Sequence, residues 1–485
     1  MSENVGKNAA WLMAATMLNK VIAFLTFAIV AKFVGPTVTG TYFYGVSVTS
    51  VFVIIADLGL TPVVIRAISA AREDGERVLG AVLRLKCLLI PLAVLGSLGW
   101  IVVTRQTDFQ TLGTVAVACF VMSADATSLV LYGALRGRQN LKPESLGMFV
   151  GQILTAVGSF FAAFFHFGPI GLAVALFLGS GWNVVWAFVQ MRRFGIVLLT
   201  PHASDYRRIA VEAVPFGVSG IAVKLYSYVD SILIKAYQGA EAVGQYAVAY
   251  KMTYALQFIP LTFIAALYPA LAKQWSEKRF EEVQRTFLES MRFLAAIGCI
   301  IAAGLSALAP RIILTVYGKT FSGAIAPLEI LPWALLPIFI DFPVGSLLNA
   351  SHRAHLKTAA QLGTMVINVA LNLILVPKTG PVGAAIAGAI SFWALMFLGF
   401  IFARRDVGLW PMMSIVLRST LVAVASWFVW RVIGYPFPFL VAATFGGVCS
   451  LFFAYLFGLI TKKDLHHLSR LRRKKITEED PIHAE

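Results

Sequence analysis

Apolar residues fill this chain in runs of about twenty, separated by short polar turns. A run of that length crosses a hydrocarbon layer of about 30 Å at about 1.5 Å of helix rise per residue. Fourteen such runs can be read, at 9–33, 42–65, 79–103, 111–135, 146–166, 170–191, 212–236, 245–271, 287–309, 325–350, 359–376, 382–403, 412–431 and 438–460. No period-two alternation competes with them, which argues against a barrel. The first run is too long for a cleavable signal and lacks a small-residue cleavage pattern. The pattern predicts an all-α integral membrane protein of about fourteen transmembrane helices.

The polar punctuation repeats. Lys20-x14-Gly35-x4-Gly40-x-Tyr42 returns as Lys224-x14-Gly239-x4-Gly244-x-Tyr246, at a constant offset of 204. Gly168-Pro169-Ile170-Gly171-Leu172-Ala173 returns as Gly380-Pro381-Val382-Gly383-Ala384-Ala385, and Arg138-x-Asn140-Leu141-Lys142 is echoed by Arg353-x-His355-Leu356-Lys357. Spans one to six and seven to twelve therefore form two pseudo-symmetric six-helix bundles. Six helices per half put corresponding loops on one membrane side, as in parallel repeats about an axis along the membrane normal. The predicted organisation is an N-terminal lobe over 1–195, a C-terminal lobe over 196–405, a hairpin of two further spans over 406–460 and a basic cytoplasmic tail over 461–485. The link between the lobes, about 192–211, is polar and basic.

Composition sharpens this picture. The chain has 485 residues, 59% of them apolar and only 13% charged, with a formal net charge of +16. With the amino terminus placed in the cytoplasm, cytoplasmic segments and their helix ends hold 30 of the 40 Lys and Arg, the opposite side holds 7, and Lys20, Lys224 and Lys251 lie inside spans. That bias predicts a multi-pass protein with both termini cytoplasmic. It also accounts for most of the net charge without nucleic acid. Cys87, Cys119, Cys299 and Cys449 fall one per apolar run with no ligand spacing, and His352-x2-His355 reads as a solvated loop pair, so neither metal nor cofactor is expected. Enzyme motifs are absent: there is no H-E-x-x-H or G-x-S-x-G, and Gly318-Lys319-Thr320 has Ile313 where a phosphate-binding loop needs glycine.

The intramembrane polar residues are the candidate chemistry. Lys20 lies about 16 Å into its helix, counted from Ala9, and Lys224 occupies the matching depth in span seven. Ser227, Tyr228, Ser231 and Lys235 follow Lys224 along one helical face. Span eight carries Tyr246, Tyr250, Tyr254 and Gln257 at helical spacing, beside Lys251; span two carries Tyr42, Tyr44, Ser47 and Asp57. Lipid penalises such stripes by several kcal/mol, so they are expected to face a watery interior. Three lysines on one cavity suit an anionic group such as a pyrophosphate, and tyrosine faces suit sugar rings. The competing reading is that each lysine neutralises an intramembrane acid, for which Asp57, Asp125, Asp230 and Asp341 are available. One of those acids could instead carry a coupling proton or sodium ion. Seven prolines that interrupt spans are candidate flexing points, or ordinary membrane-helix prolines.

Several motifs together resemble a known family. They are Val34-Gly35-Pro36-x3-Gly40-x-Tyr42, Asp57-Leu58-Gly59-Leu60, Arg136-Gly137-Arg138, Tyr317-Gly318-x2-Phe321-x2-Ala324 and Ile367-Asn368-Val369-x-Leu371-Asn372-x3-Val376-Pro377-x2-Gly380-x2-Gly383-Ala384-Ala385. Their order and spacing, over roughly 5–405, are similar to the polysaccharide flippase family of the multidrug/oligosaccharidyl-lipid/polysaccharide exporter superfamily. The resemblance implies a non-enzymatic flippase of the cell inner (plasma) membrane that moves an undecaprenyl-diphosphate-linked oligosaccharide across it by alternating access. It implies as partners this lipid-linked substrate, membrane lipids and the polysaccharide polymerase and glycosyltransferase machinery. The related lipid II flippases share fourteen spans and a cationic cavity with positive residues from spans one, two and eight. Lys20 and Lys251 match two of those helices, whereas span two offers only Arg66, near its end. In those relatives the last two helices border a groove for the lipid tail. The alternatives are a cation-coupled multidrug exporter or a lipid II flippase of the same superfamily, and a non-transporting scaffold.

Overall fold

A computed structural model describes residues 2–434 and 436–461 of the chain, with side chains from residue 16 onward except at 72, 433, 434, 439 and 440. The predicted basic tail therefore lies, but for its first residue, outside the described residues. Among them the structure is helical throughout. In chain order the helices are α1 (Ser2–Asp57), α2 (Leu60–Ala70), α3 (Arg72–Val103), α4 (Phe109–Gly137), α5 (Lys142–Phe164), α6 (Gly168–Arg193), α7 (Ala203–Ala255) and α8 (Phe258–Ser276). They continue as α9 (Phe280–Ala307), α10 (Ala309–Val316), α11 (Ile325–Ile330), α12 (Leu335–Ala350), α13 (Ala354–Thr379), α14 (Pro381–Val407), α15 (Leu409–Gly434) and α16 (Phe439–Leu456).

Among the described residues, eleven helical segments are long and apolar enough to cross a membrane. Two of them, Thr16–Asp57 and Ala203–Ser276, are each longer than one crossing and hold two spans apiece. The shorter apolar helix Val441–Leu456 supplies the last, so the fourteen-span reading stands. The long segments are broken at the first glycines of the repeat. Gly35 (φ 79°) and Gly239 (φ 83°) adopt the left-handed region that only glycine enters at low cost. By contrast Pro215, Pro269 and Pro343 sit inside continuous helices. The backbone breaks fall at glycine, not at these prolines. A second break, Leu58–Gly59, separates α1 from α2.

The second glycine of each copy has a different task. A Cβ on Gly40 would sit 1.8 Å from the Ala240 carbonyl oxygen, and a Cβ on Gly244 would sit 1.9 Å from that of Pro36. The two copies of the motif therefore cross backbone against backbone, each glycine opposite the other copy's break. In lipid, helix association draws on close packing more than on burial from water, so small residues at a crossing are what permit it.

Contacts divide the chain into two compact units. The first comprises Met1–Phe258, Pro310–Ile330 and Thr358–Ser391; the second comprises Ile259–Ala309, Leu331–Lys357 and Phe392–Glu485. In the first, Leu60, Val63 and Val64 of α2 pack with Leu79 and Val82 of α3 and with Val130, Leu131 and Leu135 of α4. In the second, Phe287, Met291 and Cys299 of α9 pack with Leu336, Ile340 and Leu347 of α12, Phe400 of α14 and Met412 of α15. Indole groups tie this unit together: Trp427 and Trp333 both donate to the Ser306 hydroxyl (3.2 and 3.1 Å), and Trp430 donates to Ser450 (2.9 Å).

Candidate functional site

Among the described residues, two cavities of the first unit hold predicted site residues. The larger, about 700 Å³, is lined by α1, α2, α4, α5, α6 and α7 and includes Asp57, Asp125, Asn183 and Lys224. The smaller, about 160 Å³, includes Thr26, Phe27, Tyr42, Gln152, Ser159 and Lys251, and Leu176 lines both. Of the predicted lysines, Lys224 lines the larger cavity and Lys251 the smaller, and Lys20 is among the lining residues of neither.

Lys224 in the larger cavity points its ammonium at the face of Tyr228, 5.5 Å from the ring centre. Asp125 and Asp57 both lie within electrostatic range of it. Asp125 is accessible and lines the cavity. Asp57 is already engaged: Lys86 Nζ approaches its Oδ1 at 2.9 Å and also donates to the Ala56 carbonyl at 2.9 Å, while Thr61 donates to the same carboxylate oxygen at 2.9 Å. The cavity wall also holds Arg136 bidentate on Glu144, and Tyr132 donates to Asn183 at 2.8 Å. Of the lining cations, Arg136 is ion-paired, while Lys224 has carboxylates within electrostatic range only.

Lys251 is different. It is solvent-accessible yet set among protein atoms, with its ammonium 5.8 Å from the Phe27 ring centre and 5.6 Å from that of Phe43. Its charged neighbour is another cation, Lys20, itself accessible and one helical turn before the cavity residue Ala23. Among the described residues neither lysine has a carboxylate within ion-pair distance. Two neighbouring positive charges, one of them lining the small cavity beside aromatic faces that tolerate cations, can attract an anion.

The tyrosines of span eight form a ladder beside Lys251. Tyr250 lies 5.9 Å from Tyr246, 4.4 Å from Tyr254 and 5.7 Å from Phe43. Tyr246 is fully buried and its hydroxyl donates a short hydrogen bond to Asp230, which also accepts from the Ser231 amide at 2.6 Å. The predicted stripe on α7 consequently splits. Lys224 and Tyr228 stay half-buried, whereas Ser231 and Lys235 are buried, the latter 5.8 Å from the Tyr44 ring on α1. In the second unit, Lys357 of α13 reaches back along α12 to Gly345, one turn from Asp341, and acts on that acid electrostatically.

Lys86 was not among the sequence candidates. The pattern starts span three at 79, which puts Lys86 near a helix end. The helix in fact starts at Arg72, so Lys86 lies about 21 Å into it and is only 2% exposed. Also unforeseen is the buried chain in which Asn372 donates to Asn368 (3.0 Å) and Asn368 to Ser391 (3.1 Å), although both asparagines belong to a motif noted above.

Fold and site together define a multi-pass membrane protein built on duplicated helices around polar interior cavities. The sequence matches the family described as "Polysaccharide biosynthesis protein" over residues 5–275, more than half its length, and the chain belongs to that family. A second family, MatE, matches residues 215–374. Among curated proteins the chain is similar to a probable low-salt glycan biosynthesis flippase, Agl15, of Haloferax volcanii: 24% identical over 432 residues, covering 86% of this chain and 89% of that one. It is also 21% identical to the lipid II flippase MurJ of Bacillus subtilis, covering 95% and 97% of the two chains. Among solved structures, a lipid II flippase MurJ in an inward closed conformation superposes with a TM-score of 0.73 at 15% identity, covering 92% and 98%. That last likeness concerns the fold.

Proposed function

We propose that this protein is a flippase that translocates a polyprenyl-diphosphate-linked oligosaccharide, with undecaprenol as the carrier, for polysaccharide biosynthesis. The observation that carries this reading is the pair Lys20 and Lys251, neighbouring cations with no carboxylate at ion-pair distance, Lys251 lining a cavity. A diphosphate supplies the missing negative charge, and burial away from bulk water strengthens that attraction. In this reading Lys20 and Lys251 meet the diphosphate, Lys224 meets the adjoining sugars, and Tyr228, Tyr250 and Tyr254 offer ring faces and hydroxyls. The lobes 1–195 and 196–405 rock in alternating access, with the Gly35 and Gly239 breaks as their equivalent hinges. The basic-residue bias supports a plasma-membrane orientation with cytoplasmic termini, where polymerase and glycosyltransferase machinery would hand over and receive substrate.

The test is alanine substitution at Lys20, Lys224 and Lys251, singly and together, with surface polysaccharide and lipid-linked intermediates followed at equal protein abundance. Loss of export with accumulation of the lipid-linked intermediate is expected, greatest for Lys251→Ala. Full export by the triple variant would sink the reading. A cation-coupled exporter is the second reading, favoured by the MatE match and by the interior acids. Of these, Asp57 and Asp230 are bonded to Lys86 and Tyr246, which leaves Asp125 and Asp341 for a coupling ion. Drug resistance conferred on a sensitive strain, and abolished by Asp125→Asn or Asp341→Asn, would favour that second reading over the first.

A further inference from the structure

The two cavities differ in how their charges are balanced, and that difference bears on the sugar. In the smaller cavity the cations outnumber the anions. In the larger one the lining carboxylates outnumber the lining cations, three (Asp57, Asp125, Glu144) to two (Arg136, Lys224): Arg136 holds Glu144 in a bidentate pair, Asp57 is bound at 2.9 Å by Lys86 from behind the wall, and Lys224 has Asp125 and Asp57 within electrostatic range. The remaining polar groups of the larger cavity, among them Ser50, Asn183 and Ser219, are uncharged. Its volume of about 700 Å³ falls within the range of about 300–1,000 Å³ usual for small-molecule sites, and the smaller cavity falls below it.

We infer that the larger cavity selects uncharged sugars: the residues next to the diphosphate are neutral, hydroxyl-rich hexoses, and a uronic acid there is rejected. This rests on the flippase reading above. The physical argument is one of desolvation. A sugar carboxylate leaving water needs an uncompensated cation, and in this cavity it meets the accessible carboxyl group of Asp125 beside a lysine within electrostatic range of two acids. A neutral sugar instead trades water for carboxylate and amide acceptors, of which the wall has several, and each such bond to a charged acceptor is stronger than a neutral one. Asp125 is the residue on which the discrimination turns, because Asp57 and Glu144 are held by their own partners.

The experiment uses the full chain in lipid nanodiscs and three probes: undecaprenyl diphosphate alone, the same lipid bearing one glucose, and the same lipid bearing one glucuronic acid. Binding of each is measured by competition. The expected result is glucose-probe binding at least about tenfold tighter than glucuronate-probe binding, since one unmatched charge pair is worth about 1.4 kcal/mol or more. Asp125→Asn is expected to bring that ratio below about threefold with binding of bare undecaprenyl diphosphate unchanged. Lys224→Met is expected to raise the ratio, and it serves as the second variant should Asp125→Asn lower the thermal midpoint. Equal binding of the two sugar probes by the unmodified protein overturns the inference, as does a ratio that moves with neither variant. If undecaprenyl diphosphate itself binds no better than bulk phospholipid, with or without Lys251, the flippase reading fails and the inference falls with it. Retained diphosphate binding with no preference between sugars overturns the inference alone.

Discussion

The two copies of the repeated signature share a backbone and differ in chemistry. Both break at a left-handed glycine and cross at a glycine that a methyl group would drive into the opposing carbonyl. Their tyrosines then part company. Tyr42, with Thr26, lines the small cavity, while Tyr246 is buried against Asp230, which stands at the repeat position of Thr26. Ser47 turns its hydroxyl back to the Phe43 carbonyl at 2.8 Å and is fully buried, whereas its counterpart Lys251 opens to the cavity. The duplication conserves what two helices need in order to cross. It leaves the polar positions free to specialise, because a side chain at a cavity wall does not alter the crossing.

The comparison can be broken most severely at its shared element. Gly40→Leu or Gly244→Leu forces the two backbones apart, and neither variant is expected to yield monodisperse protein by size-exclusion chromatography in detergent; Gly239→Ala, with open space around it, should cost only the left-handed strain of about 1–3 kcal/mol. Next comes the buried pair peculiar to the first copy, since Leu261 stands at the repeat position of Asp57. Lys86→Met is expected to destabilise by about 3–5 kcal/mol, and Lys86→Met with Asp57→Asn by clearly less, as read by denaturation in mixed micelles. In the second copy, Tyr246→Phe removes a hydrogen bond to a charged group and is expected to cost about 1.5–3 kcal/mol. Tyr42→Phe, by contrast, should leave the melting midpoint in place. The smallest effect is Ser47→Ala, about 0.5–1.5 kcal/mol with export retained. A large export defect for Ser47→Ala would contradict the division of labour between the copies.

Much of the fold was legible in the chain. Apolar run length gave the spans, because lipid admits only helices whose backbone bonds close internally, and the turns between them showed as polar interruptions. Gly35 and Gly239 were visible as repeated glycines. Their separate tasks from Gly40 and Gly244, break versus crossing, were not, because spacing along one helix says nothing about what lies opposite. The site was legible in its residue types and less so in its grouping. Lys20 lies within electrostatic range of Lys251, which lines the smaller cavity, while Lys224 lines the larger one with Asp125. Lys86 escaped notice because its depth depends on where α3 starts, seven residues before the apolar run begins.

What the sequence determined by itself is the class of protein, its span count, its internal repeat and the presence of charge within lipid. Those follow from free energies counted along one helix at a time: transfer to hydrocarbon, backbone hydrogen bonding and the conformational freedom of glycine. What only the tertiary structure decided is which charge meets which. Lys86 finds Asp57 from another helix, Tyr246 finds Asp230 across a helix break, and Lys251 finds none. Electrostatic pairing falls off over a few ångströms, so it depends on helix rotation and crossing, which the repeated glycines permit but do not specify.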